Sequence, residues 1–222
     1  QVEVVRTDRK KSASIRLLGD LVKVSVPMTL SDGRIRELVT KRTPWIKSKL
    51  QEQSNRPIPA PREYISGETV TYLGKNYRLK VLIGDQPSIK LRRGYVEATV
   101  SETDVDPKNT IRSLLQDWYR SHAQKRLGEK TSRLAKVVGV NPSSVTVKNY
   151  KSRWGSCSLK GDISYNWRII LAPHSIVDYV VVHELCHMLE HNHSSKYWKH
   201  VESHVPNWRE CKEWLKHNEL AN

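Results

Sequence analysis

Six of the nine histidines in this 222-residue chain lie between positions 183 and 204, and four of them fall within eleven residues. The densest stretch reads His183-Glu184-Leu185-Cys186-His187, an H-E-x-x-H pattern. On a helix, residues four apart are separated by about 40° around the axis and about 6 Å along it. Two imidazoles so placed converge on one cation. Zinc takes nitrogen ligands at about 2.0–2.1 Å in a tetrahedral arrangement, so two histidines leave two places to fill. His193, six residues beyond His187, is the expected third ligand, brought back by a left-handed turn at Asn192. His191, one helical turn after His187, and Glu202 further on compete for that role. The remaining place is left for water, as a catalytic site requires. Glu184, rotated about 100° from His183, lies off the ligand stripe but within reach of such a water, where a general base belongs. The implied chemistry is hydrolysis, with one zinc ion per chain and other divalent metals as alternatives.

Other residues near the cluster suggest smaller roles. Arg153 is a candidate to hold a substrate carboxylate or a developing oxyanion, and Tyr197 a candidate to stabilise that oxyanion. Cys186 falls on another face of the helix and reads as a small packed residue. Tyr197, that candidate role aside, reads as core packing, as does Trp198, and His200 and His204 read as surface or supporting positions. A purely structural zinc is disfavoured, because such sites are usually rich in thiolate.

The element that carries these residues has to be a helix despite its composition. Ile176-Val177-Asp178-Tyr179-Val180-Val181-Val182 is a β-branched run that favours a strand. A strand would hold His183 and His187 about 13 Å apart at about 3.3 Å per residue, beyond the span of one ion. Ser175 followed by Asp178 is a capping-box pattern. The apolar pattern also continues to Met188 and Leu189, too far for an ordinary strand. Valines on every side predict a helix buried nearly all round.

Before residue 105 the pattern is mostly that of strands. Val2–Arg6 and Leu21–Val26 alternate, a helical stretch follows Ser31, and Pro44 can open a further turn. Residues 54–67 hold three prolines within five positions and read as a linker. Strands are expected at Val70–Leu73, Tyr77–Ile83, Ser88–Leu91 and Tyr95–Val100, with turns at Leu73-Gly74-Lys75-Asn76 and Arg92-Arg93-Gly94. After Asp106-Pro107 comes a long amphipathic helix marked by Ile111, Leu115, Trp118, Ala123 and Leu127. A strand at Ser144–Tyr150 and two closing helices complete the chain. The expected class is α+β: a β-rich region over 1–104, then a helical region over 105–222 that carries the site on a buried helix packed against a small sheet.

Composition narrows the classes further. No 18-residue apolar run exists, which excludes a membrane-spanning helix. Three cysteines are too few for a disulfide framework and favour a reducing compartment. The opening residues lack the charged-then-apolar pattern of a secretion signal, so the cytoplasm is expected. Lys and Arg total 38 against 23 Asp and Glu, a formal charge of +15. The excess sits in residues 1–60 (+7) and 111–160 (+9), whereas 161–222 is −2. Basic blocks of this kind suit phosphate or nucleic acid as well as a plain solvated surface.

The chain resembles the YgjP-like family of predicted metal-dependent hydrolases, relatives of the SprT-like and WLM proteins in the zincin superfamily. The resemblance rests on Ser152-Arg153-Trp154-Gly155-Ser156-Cys157-Ser158, Asn166, Pro173, Asp178 through His187, Asn192-His193-Ser194 and Tyr197-Trp198. Arg9-Lys10-Lys11 and Tyr72-Leu73-Gly74-Lys75 fit the same pattern. It implies a zincin-like metallopeptidase domain with His183, His187 and His193 as zinc ligands, Glu184 as general base, and Arg153–Ser158 beside the site near a sheet edge. Glu190 stands where metzincins break the helix with Gly, so a metzincin is excluded. Three activities are expected from this footing. The first is a zinc metallopeptidase acting on polypeptide. The second is a nucleoside triphosphate pyrophosphatase acting on a phosphorylated small molecule at the same site. The third is a nucleic-acid-associated, SprT-like protease.

Overall fold

The structure, a computed structural model, describes residues 2–8, 12–19, 21–54 and 61–218. Arg9-Lys10-Lys11, Pro57 and Pro59 lie outside the described residues. The chain divides into two compact units, Gln1–Arg62 and Glu63–Asn222.

In the first unit, strands β1 (Val2–Thr7), β2 (Ser14–Leu18) and β3 (Leu21–Pro27) form a sheet in the order β1-β3-β2. β1 runs parallel to β3 and β2 antiparallel to it. Alternation along β3 turns Val22, Val24 and Val26 to one face, where they are buried with Ile35 and Ile46 of helix α1 (Asp32–Ser54). The helix continues through Pro44, where a new turn was expected. Proline there removes a single backbone bond, and Ile35, Val39, Ile46 and Leu50 pack on both sides of it.

The second unit begins with a four-stranded sheet of β4 (Thr69–Tyr72), β5 (Lys75–Ile83), β6 (Ser88–Arg92) and β7 (Tyr95–Val100), ordered β4-β5-β7-β6. Its two hairpins turn on Leu73-Gly74 (φ 49° and 76°) and Arg93-Gly94 (φ 51° and 82°), the positive-φ pair of a type I′ turn. Helix α2 (Pro107–Val138) starts at Asp106, whose side chain accepts from the Asn109 N–H, and ends at Gly139 with φ 81°. Val70, Leu79, Val96 and Ala98 of the sheet share one core with Ile111, Leu115 and Leu127 of α2. The boundary expected at 104–105 therefore falls inside this unit. What changes there is the type of element and not the core.

A third sheet contains β8 (Ser144–Lys148), β9 (Gly155–Cys157) and β10 (Asp162–Asn166). β10 lies in the middle, parallel to β8 and antiparallel to β9, which leaves β9 at an edge. A 3₁₀ helix over Trp167–Leu171 leads to α3 (His174–Cys186), α4 (Ser195–His204) and α5 (Trp208–His217). The mixed α+β class stands, and the valine-rich segment is helical. Val177, Val180, Val181 and Val182 are all buried, so burial on every side outweighs the β preference of their side chains.

The start of α3 differs from the capping-box reading. The helix is entered at Pro173 with no side-chain cap, and Ser175 lies inside its first turn. Tertiary contacts fix the entry instead. The Leu73 N–H donates to the Ile170 carbonyl (2.8 Å) and the Gly74 N–H to Leu171 (3.2 Å). A Cβ on Gly74 would come within 2.7 Å of the Pro173 Cα, so the β4–β5 turn sits directly on the first residue before the helix. Lys130 of α2, donating to Asp178 Oδ1 at 2.6 Å, pins the next turn. Among the described residues no helix is long and apolar enough to cross a membrane.

Candidate metal centre

α3 ends at Cys186, and His187 is its C-cap, still in helical conformation (φ −65°, ψ −18°). Beyond it the chain tightens. Met188 N–H donates to Leu185 and Leu189 N–H to Cys186, each at 3.0 Å. Asn192 is not left-handed, because among the described residues the non-glycine positive-φ positions are Tyr64, Leu73 and Arg93. Instead the Ser194 N–H donates to the Asn192 carbonyl at 2.7 Å, a three-residue turn centred on His193. Ser194 then caps α4, its hydroxyl accepting from the Tyr197 N–H.

This path brings His193 back to the helix. One ligating nitrogen from each of His183, His187 and His193 lies within 4.8 Å of the other two. His183 Nε2 and His193 Nε2 face one another at 3.2 Å. Nitrogens on a tetrahedral zinc are separated by about 3.3 Å when each bond is about 2.0–2.1 Å, so the facing pair already has the spacing of a ligand pair. His183 Nδ1 is buried without a partner. His187 Nδ1 lies 3.4 Å from the Glu190 carbonyl, a contact of the sort that fixes a ligand's tautomer. The residues present fit a divalent metal. Neither competing ligand joins them: His191 lies on the groove and outside the triad, and Glu202 pairs with Arg209 at 2.8 Å.

Burial sets the charge states. It pushes His183 down to about 3, and the neighbouring His187, His193 and Lys212 charges push the same way. His187 and His193 are lowered by burial first and nearby charges second. Neutral imidazoles are what a metal ligand must offer. Glu184, 4% exposed, is pushed up to about 8 by burial, with the Arg153 charge pulling back.

Gly155 explains where that carboxyl sits. A Cβ at this position would lie 2.7 Å from Glu184 Cδ and 2.8 Å from Cγ, closer than any side chain permits. The β9 backbone is therefore the wall against which Glu184 rests. The loop before β9 is held by buried Asn166, whose Nδ2 donates to the carbonyls of Tyr150 (3.0 Å) and Arg153 (3.3 Å). Tyr150 OH and Ser156 Oγ share a further bond of 2.9 Å. Arg153 lies over the Tyr150 ring at 5.5 Å and lines the groove.

Tyr197 packs in the core, as one reading of the sequence had it. It is fully buried, its ring stacks on His187 (4.6 Å, 27°), and its hydroxyl donates to the His183 carbonyl at 2.9 Å. It supports the triad from behind and does not line the groove. Its neighbour Trp198, partly buried against the same core, also stacks on His193 (5.6 Å, 23°) and on Trp208 (4.1 Å, 17°). Lys212 holds its ammonium over both indoles, at 4.7 and 5.7 Å. The open groove has a volume of about 980 Å³ and runs between β9 and this stack, with the triad and Glu184 on its floor. Lys212 lines the groove although no motif in the sequence marks it. The Trp198–Trp208–Lys212 spacing across two helices was the available signal.

An α+β scaffold that presents three imidazoles and a buried carboxyl in one groove defines a class of metal-dependent, peptidase-like hydrolases. The chain belongs to the YgjP-like family, whose metallopeptidase-domain description matches residues 11–218. Among solved structures it is similar to the metallopeptidase zymogen of Pyrococcus abyssi abylysin, at 20% identity and TM-score 0.40, over 43% of this chain and 97% of that one. It is also similar to the metallopeptidase zymogen of Methanocaldococcus jannaschii jannalysin, at 19% identity and TM-score 0.35, over 40% and 95%. No curated protein matches it.

Proposed function

We propose that the chain is a zinc-dependent peptidase in which His183, His187 and His193 hold the metal and Glu184 is the general base. The convergence of three neutral imidazoles beside a carboxyl pressed against the β9 edge carries this reading. A zinc ion held there would polarise a scissile carbonyl and bring the acidity of water to about pH 7. Glu184 takes a proton from the attacking water and delivers it to the amide nitrogen as the C–N bond breaks. The exposed edge of β9 can pair with an extended substrate, aligning its carbonyl over the triad. Tyr197 and Trp198 keep the His183, His187 and His193 rings in register.

The test is cleavage of an unfolded polypeptide by the zinc-loaded chain. Glu184→Gln should lower the rate by at least about a hundredfold and leave one zinc per chain by elemental analysis. Equal rates would remove Glu184 from the mechanism, and no cleavage by the unmodified chain with any divalent metal would overturn the peptidase reading. A second reading, release of pyrophosphate from a nucleoside triphosphate, is favoured by the cations Arg153, Lys212 and Lys216 on the groove. Against it stand the imidazole donor set, where magnesium prefers oxygens, and the absence of a Gly-rich phosphate loop in the sequence. A phosphate-release screen over nucleotides separates the two.

A further inference from the structure

The groove is far more cationic than the part of the chain that builds most of it. Residues 161–222 carry eight acidic and six basic side chains. Yet among the described residues Glu184, on the floor, is the only carboxylate that lines the groove, whereas Arg153, Lys212 and Lys216 all do. Other acids of this segment are engaged elsewhere: Asp178 with Lys130, Glu202 with Arg209, Asp162 with Ser144 and Ser158. Two of the three cations are also held in place by aromatic rings. Arg153 lies over Tyr150 on the β9 side, and Lys212 over Trp198 and Trp208 on the α4–α5 side. Both are exposed, and among the described residues neither is ion-paired with a carboxylate, although the Arg153 charge reaches Glu184. Lys216 is paired with Glu213 at 3.0 Å and so offers less. Rings that hold a cation in one place reduce the ordering cost of a new ion pair. Apolar surface from Trp154, Leu159, Trp198 and Leu215 lies between the cations, which suits a polypeptide backbone with its side chains better than a compact polyanion.

We infer that the groove selects acidic polypeptide, with one carboxylate side chain received by Arg153 beside β9 and another by Lys212 on the opposite wall. This rests on the peptidase reading for its substrate class, and binding can test it without cleavage. The zinc-loaded, full-length Glu184→Gln chain is titrated into fluorescein-labelled twelve-residue peptides that differ only in carrying Asp, Asn or Lys at two positions flanking a central apolar residue. Fluorescence anisotropy should show the Asp peptide bound about three- to tenfold more tightly than the Asn peptide at low salt, with the preference shrinking as salt rises. Adding Lys212→Gln or Arg153→Gln should lower the Asp-to-Asn ratio, both together should bring it to about one, and Lys212→Arg should restore it. Equal affinity for Asp and Asn peptides, or a ratio unmoved by the double substitution, overturns the inference. So does displacement of the Asp peptide by a nucleoside triphosphate at lower concentration than by unlabelled Asp peptide. Selective binding of the Asp peptide by the Glu184→Gln chain, with no cleavage by the zinc-loaded unmodified chain, would sink the peptidase reading and leave the groove's preference intact.

Discussion

The two walls of the groove hold their reactive groups by different means. On the β9 side the support is backbone. Gly155 brings the strand against Glu184 so closely that a Cβ would sit 2.7 Å from Cδ, and Asn166 ties the preceding loop with two hydrogen bonds. On the α4–α5 side the support is a stack of rings, with His193 on Trp198 and Trp198 on Trp208. A backbone wall has no rotamers and tolerates no added atom, whereas a stack yields by degrees. Changes on the first wall should act as a switch, and changes on the second as a dial.

The sharpest break of that contrast is Gly155→Ala. The new methyl forces the Glu184 carboxyl off its position, so the cleavage rate should fall about a hundredfold while zinc content stays at one per chain. Overpacking should also cost about 1–3 kcal/mol of stability. Combining it with Glu184→Ala, which removes both the Cγ and the Cδ that the methyl would meet, should recover the melting temperature but not the rate. Full activity in Gly155→Ala would mean that the backbone wall does not place the base.

The same wall should give a pH signature in metal-stripped protein. Glu184 is raised to about 8 in the folded chain from 4.5, so between those values the folded state keeps a proton that the unfolded state gives up. Stability therefore falls as pH rises through that window. His183, lowered from 6.5 to about 3, acts oppositely. Below 6.5 the unfolded state binds the extra proton, so stability rises with pH between about 3 and 6.5. The two offset each other from 4.5 to 6.5, and above that only the Glu184 penalty grows. Glu184→Gln removes the penalty. Its melting temperature relative to the unmodified chain, both in chelator, should climb by roughly 8–15 °C between pH 5 and 8.5, from about 4 kcal/mol of linkage at about 2–4 °C per kcal/mol. A flat difference would mean that the carboxyl is not buried as described.

The readable parts of the site were those whose spacing is dictated by coordination chemistry. His183 and His187 must be a helical turn apart to share an ion, which forced a helix onto a valine-rich segment. His193 was found although its turn was misread, because a third imidazole within reach matters more than the route to it. Contacts between distant positions were not readable. Nothing in Trp154-Gly155-Ser156 reveals that the glycine touches a carboxyl twenty-nine residues later, whereas β10 was missed although Asp162-Ile163-Ser164-Tyr165-Asn166 alternates as a strand does, with Ile163 and Tyr165 fully buried. Two adjacent aromatics read alike as core packing also brace the triad, each from a different side. Tyr197 and Trp198 differ by about 100° around α4, enough to send the tyrosine behind the triad and the tryptophan against His193. Sequence order alone does not say which goes where. The split near residue 62 falls within the proline-rich stretch read as a linker, whereas the core that the β4–β7 sheet shares with α2 was not readable.

Trp198→Leu tests the softer wall. His193 belongs to a turn and not to α3, so its ring depends on Trp198 for orientation, while His183 and His187 are oriented by the helix and Tyr197. Removing the indole leaves all three ligands in the chain but lets one of them wander. Zinc affinity, measured against a competing chelator, should weaken about tenfold, the lower end of the range for groups that orient ligands. Cleavage at saturating zinc should fall much less, because Glu184 rests on the other wall. Tyr197→Phe is the matched control: it removes the hydroxyl bond to the His183 carbonyl but keeps the ring on His187, and should cost less affinity than Trp198→Leu. If the order were reversed, the stack would be ordinary packing and the His183 carbonyl bond the true support of the triad.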